Sequence, residues 1–214
     1  MEETTSREKI LKKIRNALIS KTENPYPSLD TESSVYPKLN DSIDIAFAQE
    51  FTRIAGKFVY CENEVDLSKN LASLVLEKKW KSVYCIDKDI QPVLDKAKIN
   101  YTDDPETFVE LQAGITQCEF LIARLGSVMI SSRQISGRRL NVFPETHIVI
   151  ARSKQIVPEL KDAIEGIRKK YNNKLPSLVT VISGPSRTAD IEKTLVMGAH
   201  GPKELYVFLL DDES

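Results

Sequence analysis

The chain has 214 residues, of which 41% are hydrophobic and 29% charged, with a formal net charge of −1 at pH 7. That length supports one α/β domain with a full core plus a small appendage, and the near-neutral charge gives no global attraction to nucleic acid or to an anionic membrane. No apolar run reaches the ~20 residues a bilayer span needs, and the charged start MEETTSREKILKKIRNAL lacks an apolar signal core, so a cytoplasmic location without membrane insertion is expected.

Residues 4–20 read as an amphipathic helix, with Ile10, Leu11, Ile14 and Leu18 at three- and four-residue spacing. The stretch TENPYPSLDTESSVYPKLND follows as an extended arm, because proline removes backbone donors and breaks helical periodicity. Residues 1–40 are therefore set apart as helix and Pro/Ser-rich arm, and residues 41–214 as the α/β domain. In that domain a helix is expected over 44–55, a strand at KFVYC (57–61), and a helix over 64–78 with Leu67, Leu71, Leu74 and Val75 on one face. SVYCI (82–86) gives a strand and 89–97 a short helix. Residues 114–119 lead into FLIA (120–123), which Gly126 separates from SVMIS (127–131), a strand placed to pair with it. HIVIA (147–151), a helix over 157–171, SLVTVIS (177–183) and ELYVFLL (204–210) complete the series. Short apolar strands alternating with helices imply a mainly parallel sheet with helices on both faces, here with a small antiparallel insertion.

Cys61, Cys85 and Cys118 are scattered and odd in number, which argues for reduced thiols, and no CxxC pair occurs. Iron–sulfur clusters usually take four thiolates, so no cluster is expected in this chain. No pair of ligands has a recognised metal-binding spacing, so no metal site is expected either. P-loop, GxGxxG and GxSxG patterns are absent.

Three stretches carry chemistry-bearing residues. In SGPSRTADIEKTLVMGAHGP, Gly184 and Pro185 turn the chain as a strand leaves the sheet. Ser186, Arg187 and Thr188 then offer two hydroxyls and a guanidinium, with Asp190 placed to cap a following helix whose free N–H groups would suit an anion. The alternative is a tight connection in which Arg187 pairs with Asp190 or Glu192. Next, His200 lies between Gly198 and Gly201 as a proton carrier, a ligand contact or a loop histidine, with Gly201 expected at positive φ. Lastly, the segment from Arg124 to Arg152 holds five arginines (Arg124, Arg133, Arg138, Arg139, Arg152), no lysine, and Glu145 as its single acid. Arginine without lysine suits planar anion recognition, or else a solvated basic loop. His147, opening a strand, reads as structural. Asp190, His200 and Glu145 are the candidate acid–base residues. Gly184, Ser186, Arg187, Thr188, Arg124, Arg138, Arg139, His200 and Gly201 are the candidate anion contacts.

The order GPSRTADIE, LVMGAHGP, LYVFLLDD, preceded by AGITQCEFLIARLGSVMISS and GRRLNVFPETHIVIA, resembles the LUD-domain family of the lactate-utilisation protein C type. The resemblance spans residues 51–212. It implies a fold similar to the NagB/RpiA/CoA-transferase-like fold and a place in a bacterial system that oxidises L-lactate to pyruvate, with iron–sulfur clusters on partner subunits. One position departs from the family. Where its members commonly read Ala-Glu-Thr-Gly, this chain has Ala123-Arg124-Leu125-Gly126. Arginine forms no acyl intermediate and is no base at neutral pH, so a CoA-transferase mechanism through Arg124 is rejected and an anion contact expected instead.

The leading expectation is thus an accessory or substrate-binding subunit that takes a small carboxylate or phosphate and works beside iron–sulfur partners. The competing ones are a stand-alone enzyme of the sugar-phosphate isomerase or cyclo-ligase-like fold and a non-catalytic anion sensor or scaffold. Homo-oligomerisation stays open.

Overall fold

The computed structural model describes residues 5–19, 26, 28, 30, 33, 36–107, 112–136, 139–191, 194–198 and 200–212, the side chains of 189–197 excepted. It falls into two compact units that divide between Lys38 and Leu39. In the first, α1 (Ser6–Ile19) starts at a capping box: the Thr5 amide donates to the Glu8 carboxylate at 2.8 Å, and the Glu8 amide donates to the Thr5 hydroxyl at 3.3 Å.

The second unit runs α2 (Ile43–Arg53), β1 (Lys57–Cys61), α3 (Glu64–Lys78), β2 (Val83–Tyr84), α4 (Gln91–Lys96), β3 (Tyr101–Thr102), β4 (Ala113–Gln117), β5 (Phe120–Ile122), β6 (Ser127–Ser131), β7 (Thr146–Arg152), β8 (Ile156–Val157), α5 (Leu160–Lys170), β9 (Val179–Ile182), β10 (Arg187–Ile191), β11 (Thr194–Met197) and β12 (Glu204–Leu210). Asn63 caps α3 by accepting from the Asp66 amide at 3.0 Å. The expected helix over 157–171 begins only at Leu160. Pro158 pushes the residue before it to extended backbone, and Ile156–Val157 pairs beside β5 instead.

Six strands form one sheet, all parallel, in the order β1-β12-β7-β4-β2-β3. A smaller sheet, β8-β5-β6-β9, contains the antiparallel pair β5–β6. The strand pleat then sorts the side chains. Ile148, Ile150, Phe208 and Leu210 face α3 and α4, forming one core with Leu67, Leu71, Val93 and Leu94. Val149, Ala151, Val207 and Leu209 face the other way, onto α2 (Phe47, Phe51) and the inner face of the small sheet (Leu121, Val128, Ile130). The outer residues of the small sheet, Ile122 and Met129, meet Ala163 and Ile167 of α5. The α/β class and the antiparallel insertion stand as expected, but one face of the large sheet is covered by a helix and a second sheet together.

Two expectations need correction. β9 does not leave the parallel sheet. It is the edge of the small sheet, antiparallel to β6, with Val179 and Val181 exposed. A central parallel strand buries both faces, and this one does not. Nor does a helix follow the Gly184-Pro185 turn: β10 and β11 form a two-stranded antiparallel hairpin, Thr188 opposite Val196.

Candidate functional site

The hairpin and the loop before β12 are tied by their backbones. The Ser186 amide donates to the Pro202 carbonyl and the Gly198 amide to the Ser186 carbonyl, both at 2.9 Å. A Cβ on Gly201 would stand 3.1 Å from Ser186 Cβ, a tight approach that Ser186 would have to relieve by a few tenths of an ångström. Gly201 does not take the positive φ expected of it; Gly198 does, at 74°. The 139–145 loop joins the same place. The Arg139 carbonyl accepts from the Val142 amide at 3.0 Å and the Phe143 amide at 3.1 Å, and the Glu145 carbonyl accepts from the Lys203 amide at 2.7 Å. Two segments far apart in sequence, 142–145 and 198–203, thus meet around a groove of about 490 Å³ lined by Val142, Phe143, Glu145, Gly198, His200, Gly201 and Lys203, with Ser186 tied to the second by its backbone.

The groove lies at the amino ends of β7 and β12. Its polar groups are the exposed His200, the Glu145 carboxylate and the Lys203 ammonium, the last two 2.7 Å apart. Both partners of that pair are more than half exposed, so it contributes little and opens readily to a competing anion. Cation, carboxylate and imidazole together suit a small acid that also carries a hydroxyl. The apolar wall of Val142 and Phe143 would cover its carbon skeleton.

Of the expected contacts, Glu145, His200 and Gly201 line this groove and Ser186 adjoins it through Gly201. The others lie elsewhere. The Arg187 guanidinium donates to the Ile54 carbonyl at the end of α2, beside Gly184. Arg124 meets Glu159 at 3.2 Å, so a carboxylate of the chain itself supplies its anion. Thr188 is paired within the hairpin, and Asp190 is in β10, not at a helix cap; its side chain lies outside the described residues. Arg138 lies outside them too, and Arg139 is exposed. Arg133 stacks 5.0 Å over the Tyr171 ring and Arg152 ends β7 at the opposite edge of the sheet. The arginine concentration is therefore a property of the sequence and not of one surface. Sequence reasoning missed Lys203, whose only local signal is its position directly after His200-Gly201-Pro202.

Several buried polar groups sit away from the groove. His147 is fully buried, with Nε2 2.9 Å from the Thr116 hydroxyl, and burial pushes its pKa down to about 4. Its Nδ1 has no hydrogen-bond partner among the described residues. Cys61, Cys85 and Cys118 are buried free thiols, and burial pushes Cys85 and Cys118 up to about 12. Among the described residues no group of three or more His, Cys, Asp or Glu gathers to hold a metal, and no helix is long and apolar enough to cross a membrane.

A family model described as the LUD domain matches residues 46–210. An uncharacterised protein of Neisseria meningitidis is 36% identical over 124 residues, 58% of this chain and 52% of that protein. Lactate utilization protein C of Bacillus subtilis is 37% identical over 169 residues, 78% of this chain and 68% of that protein. The chain spans about half the length of the Neisseria relative. The crystal structure of a DUF162 family protein from Deinococcus radiodurans superposes with a TM-score of 0.63 at 20% identity, covering 81% of this chain and 99% of that one. That likeness speaks to the fold alone.

Proposed function

Because the chain belongs to the LUD-domain family, we propose that it serves lactate utilisation as an accessory, substrate-binding subunit beside iron–sulfur partners. The observation that carries this reading is the meeting of the 139–145 and 198–203 loops around one groove, the second braced by the Ser186 backbone. Lactate and pyruvate are small carboxylates, and Lys203 and His200 would hold the carboxylate while Glu145 accepts from the lactate hydroxyl. Iron–sulfur chemistry belongs on the partners, since a cluster usually takes four thiolates, whereas this chain has three scattered cysteines, with burial keeping the Cys85 and Cys118 thiols protonated.

Calorimetric titration with L-lactate and with pyruvate tests the site. Saturable binding is expected, weakened at least about tenfold by Lys203→Ala, the loss of one charge-assisted contact. Affinity capture of the tagged chain from lactate-grown cells tests the role, with cysteine-rich iron–sulfur proteins expected to co-purify. Absence of binding into the millimolar range, together with recovery of the chain alone, would overturn the reading.

A further inference from the structure

The opposite edge of the large sheet has its own cavity. From β2 the chain steps outward to β3, whereas from β4 it steps the other way, to β7 and then β12. In open parallel sheets such a reversal leaves a crevice above the carboxyl ends of the strands, where ligands bind. Here the Gln117 amide at the end of β4 spans the reversal, donating to Asp87 after β2 at 3.0 Å. Above it lies a crevice of about 440 Å³, bounded by the carboxyl ends of β4, β7 and β12, the start of α3 and α4.

Its floor is the upper end of a hydrophobic core: Leu67, Ile90, Val93, Ile150 and Leu210. Its rim is basic. Lys96 pairs with Glu64 and Lys88 with Asp103, each at 2.8 Å and each pair half-exposed or more, so both ammonium groups yield readily to a competing anion. Arg152 forms no salt bridge among the described residues. Its charge reaches the crevice: after Lys96, it helps hold the Glu64 carboxyl below the usual carboxylate range. The Asp89 carboxylate, also on the lining, accepts hydrogen bonds. An apolar floor, three cations on the rim and two carboxylates, Glu64 held by Lys96 and Asp89 as an acceptor, together recognise a ligand with an apolar body, an anionic group and a hydroxyl.

The geometry points to a second binding site here, for a small organic phosphate of the nucleoside monophosphate class. The body packs on Leu67, Val93 and Ile150, the phosphate is clamped by the Arg152 fork with Lys96, and a sugar hydroxyl donates to Asp89. The site stands apart from the lactate reading, being at the other end of the strands.

Amide NMR titration of the full chain with AMP, adenosine, inorganic phosphate and L-lactate tests it. AMP is expected to bind saturably and to move the side-chain amides of Gln117 and Gln155, leaving the Gly198 and Gly201 amides in place. Adenosine and phosphate alone should bind at least about tenfold more weakly than AMP, and Arg152→Ala should lose at least about tenfold in AMP affinity at an unchanged melting temperature. Lactate, if the groove takes it, moves Gly198 and Gly201 instead, so either site can fail without the other. No AMP binding into the millimolar range, AMP shifts confined to Gly198 and Gly201, phosphate binding as tightly as AMP, or full affinity in Arg152→Ala would each overturn the proposal.

Discussion

The Glu119 carboxylate, wholly buried, meets the half-exposed Lys170 ammonium at 2.6 Å. The Ser131 hydroxyl donates to the same carboxylate at 2.5 Å and the Tyr171 hydroxyl at 2.7 Å, so the end of β6 and the end of α5 are fastened to the start of β5. Burial works against the charge, yet the three donors hold the Glu119 carboxyl below its ordinary 4.5. Glu119→Gln leaves donors without their anion and should cost about 2–4 kcal/mol of stability. Lys170→Ala strips the buried carboxylate of its counter-charge but leaves the Ser131 and Tyr171 hydroxyls donating to it, and should also cost about 2 kcal/mol. Urea unfolding at pH 7 measures both. A carboxylate with a depressed folded pKa stabilises fully above 4.5 and loses that contribution as pH falls through the folded value, so Glu119→Gln should also flatten the acid limb of stability below pH 4.5.

His147 gives a second pH dependence with the same sign at higher pH. Its folded pKa is about 4 against an ordinary 6.5, so the unfolded chain takes up a proton that the folded chain refuses. Stability is whole above 6.5 and declines as pH falls toward 4, by about 2 kcal/mol between pH 7 and pH 5. Parallel urea titrations at those two pH values should show that loss in the wild type and its near absence in His147→Gln. Equal slopes in the two proteins would mean that His147 titrates in the fold as it does in water.

Gly126 holds a left-handed φ of 56° at the turn between β5 and β6, and a Cβ there would press on the backbone of Glu50 and Phe51 in α2. Both the conformation and the approach demand hydrogen. Gly126→Ala should therefore destabilise by more than about 2 kcal/mol, far above the small entropic gain alanine brings elsewhere. Thermal melting of the variant reads this directly, and a wild-type melting temperature would disprove the close approach of turn and helix.

Arg187→Ala separates a cap from a ligand contact. Its guanidinium satisfies the carbonyl of Ile54, just past the end of α2. Its loss should cost about 1 kcal/mol of stability, as a solvent-accessible charge-assisted hydrogen bond does. Affinity for lactate should stay unchanged. A variant of full stability and weakened binding would return Arg187 to the groove.

The sequence makes strands of both sheets legible where apolar runs are bounded by strong punctuation. Residues 204–210 follow Gly201-Pro202 and residues 127–131 follow Gly126, and both strands occupy those positions. The hairpin of β10 and β11 is hidden for a physical reason. The dipeptide between its strands is Glu192-Lys193, which lacks the positive-φ residues that usually mark a two-residue turn. Gly184-Pro185 followed by Ser, Thr and Asp also imitates the entry to a helix. The groove was half legible, through Glu145, His200 and Gly201. What sequence left open was which strands share the large sheet. The large sheet is parallel, so every residue just before a strand gathers at one edge and every residue just after at the other. Glu145 and Lys203 thus fall together, while Gln117 and Arg152 form the far crevice.

The position of β12 has a consequence for how the chain is made. Its residues lie between β1 and β7, and β1 borders no other strand of the sheet. Lys57 and Tyr206, joined at 3.0 Å, are 149 residues apart. At a synthesis rate of roughly 5–20 residues per second, the first strand waits on the order of ten seconds for its neighbour. Throughout that interval the nascent chain presents a loose β1, joined, after residues 146–152 are made, by an open edge of β7, the kind of surface on which other chains pair. The piece that closes this side of the sheet is therefore made 149 residues after the strand it covers, and chaperone occupancy of the growing chain should persist until residues 204–210 emerge.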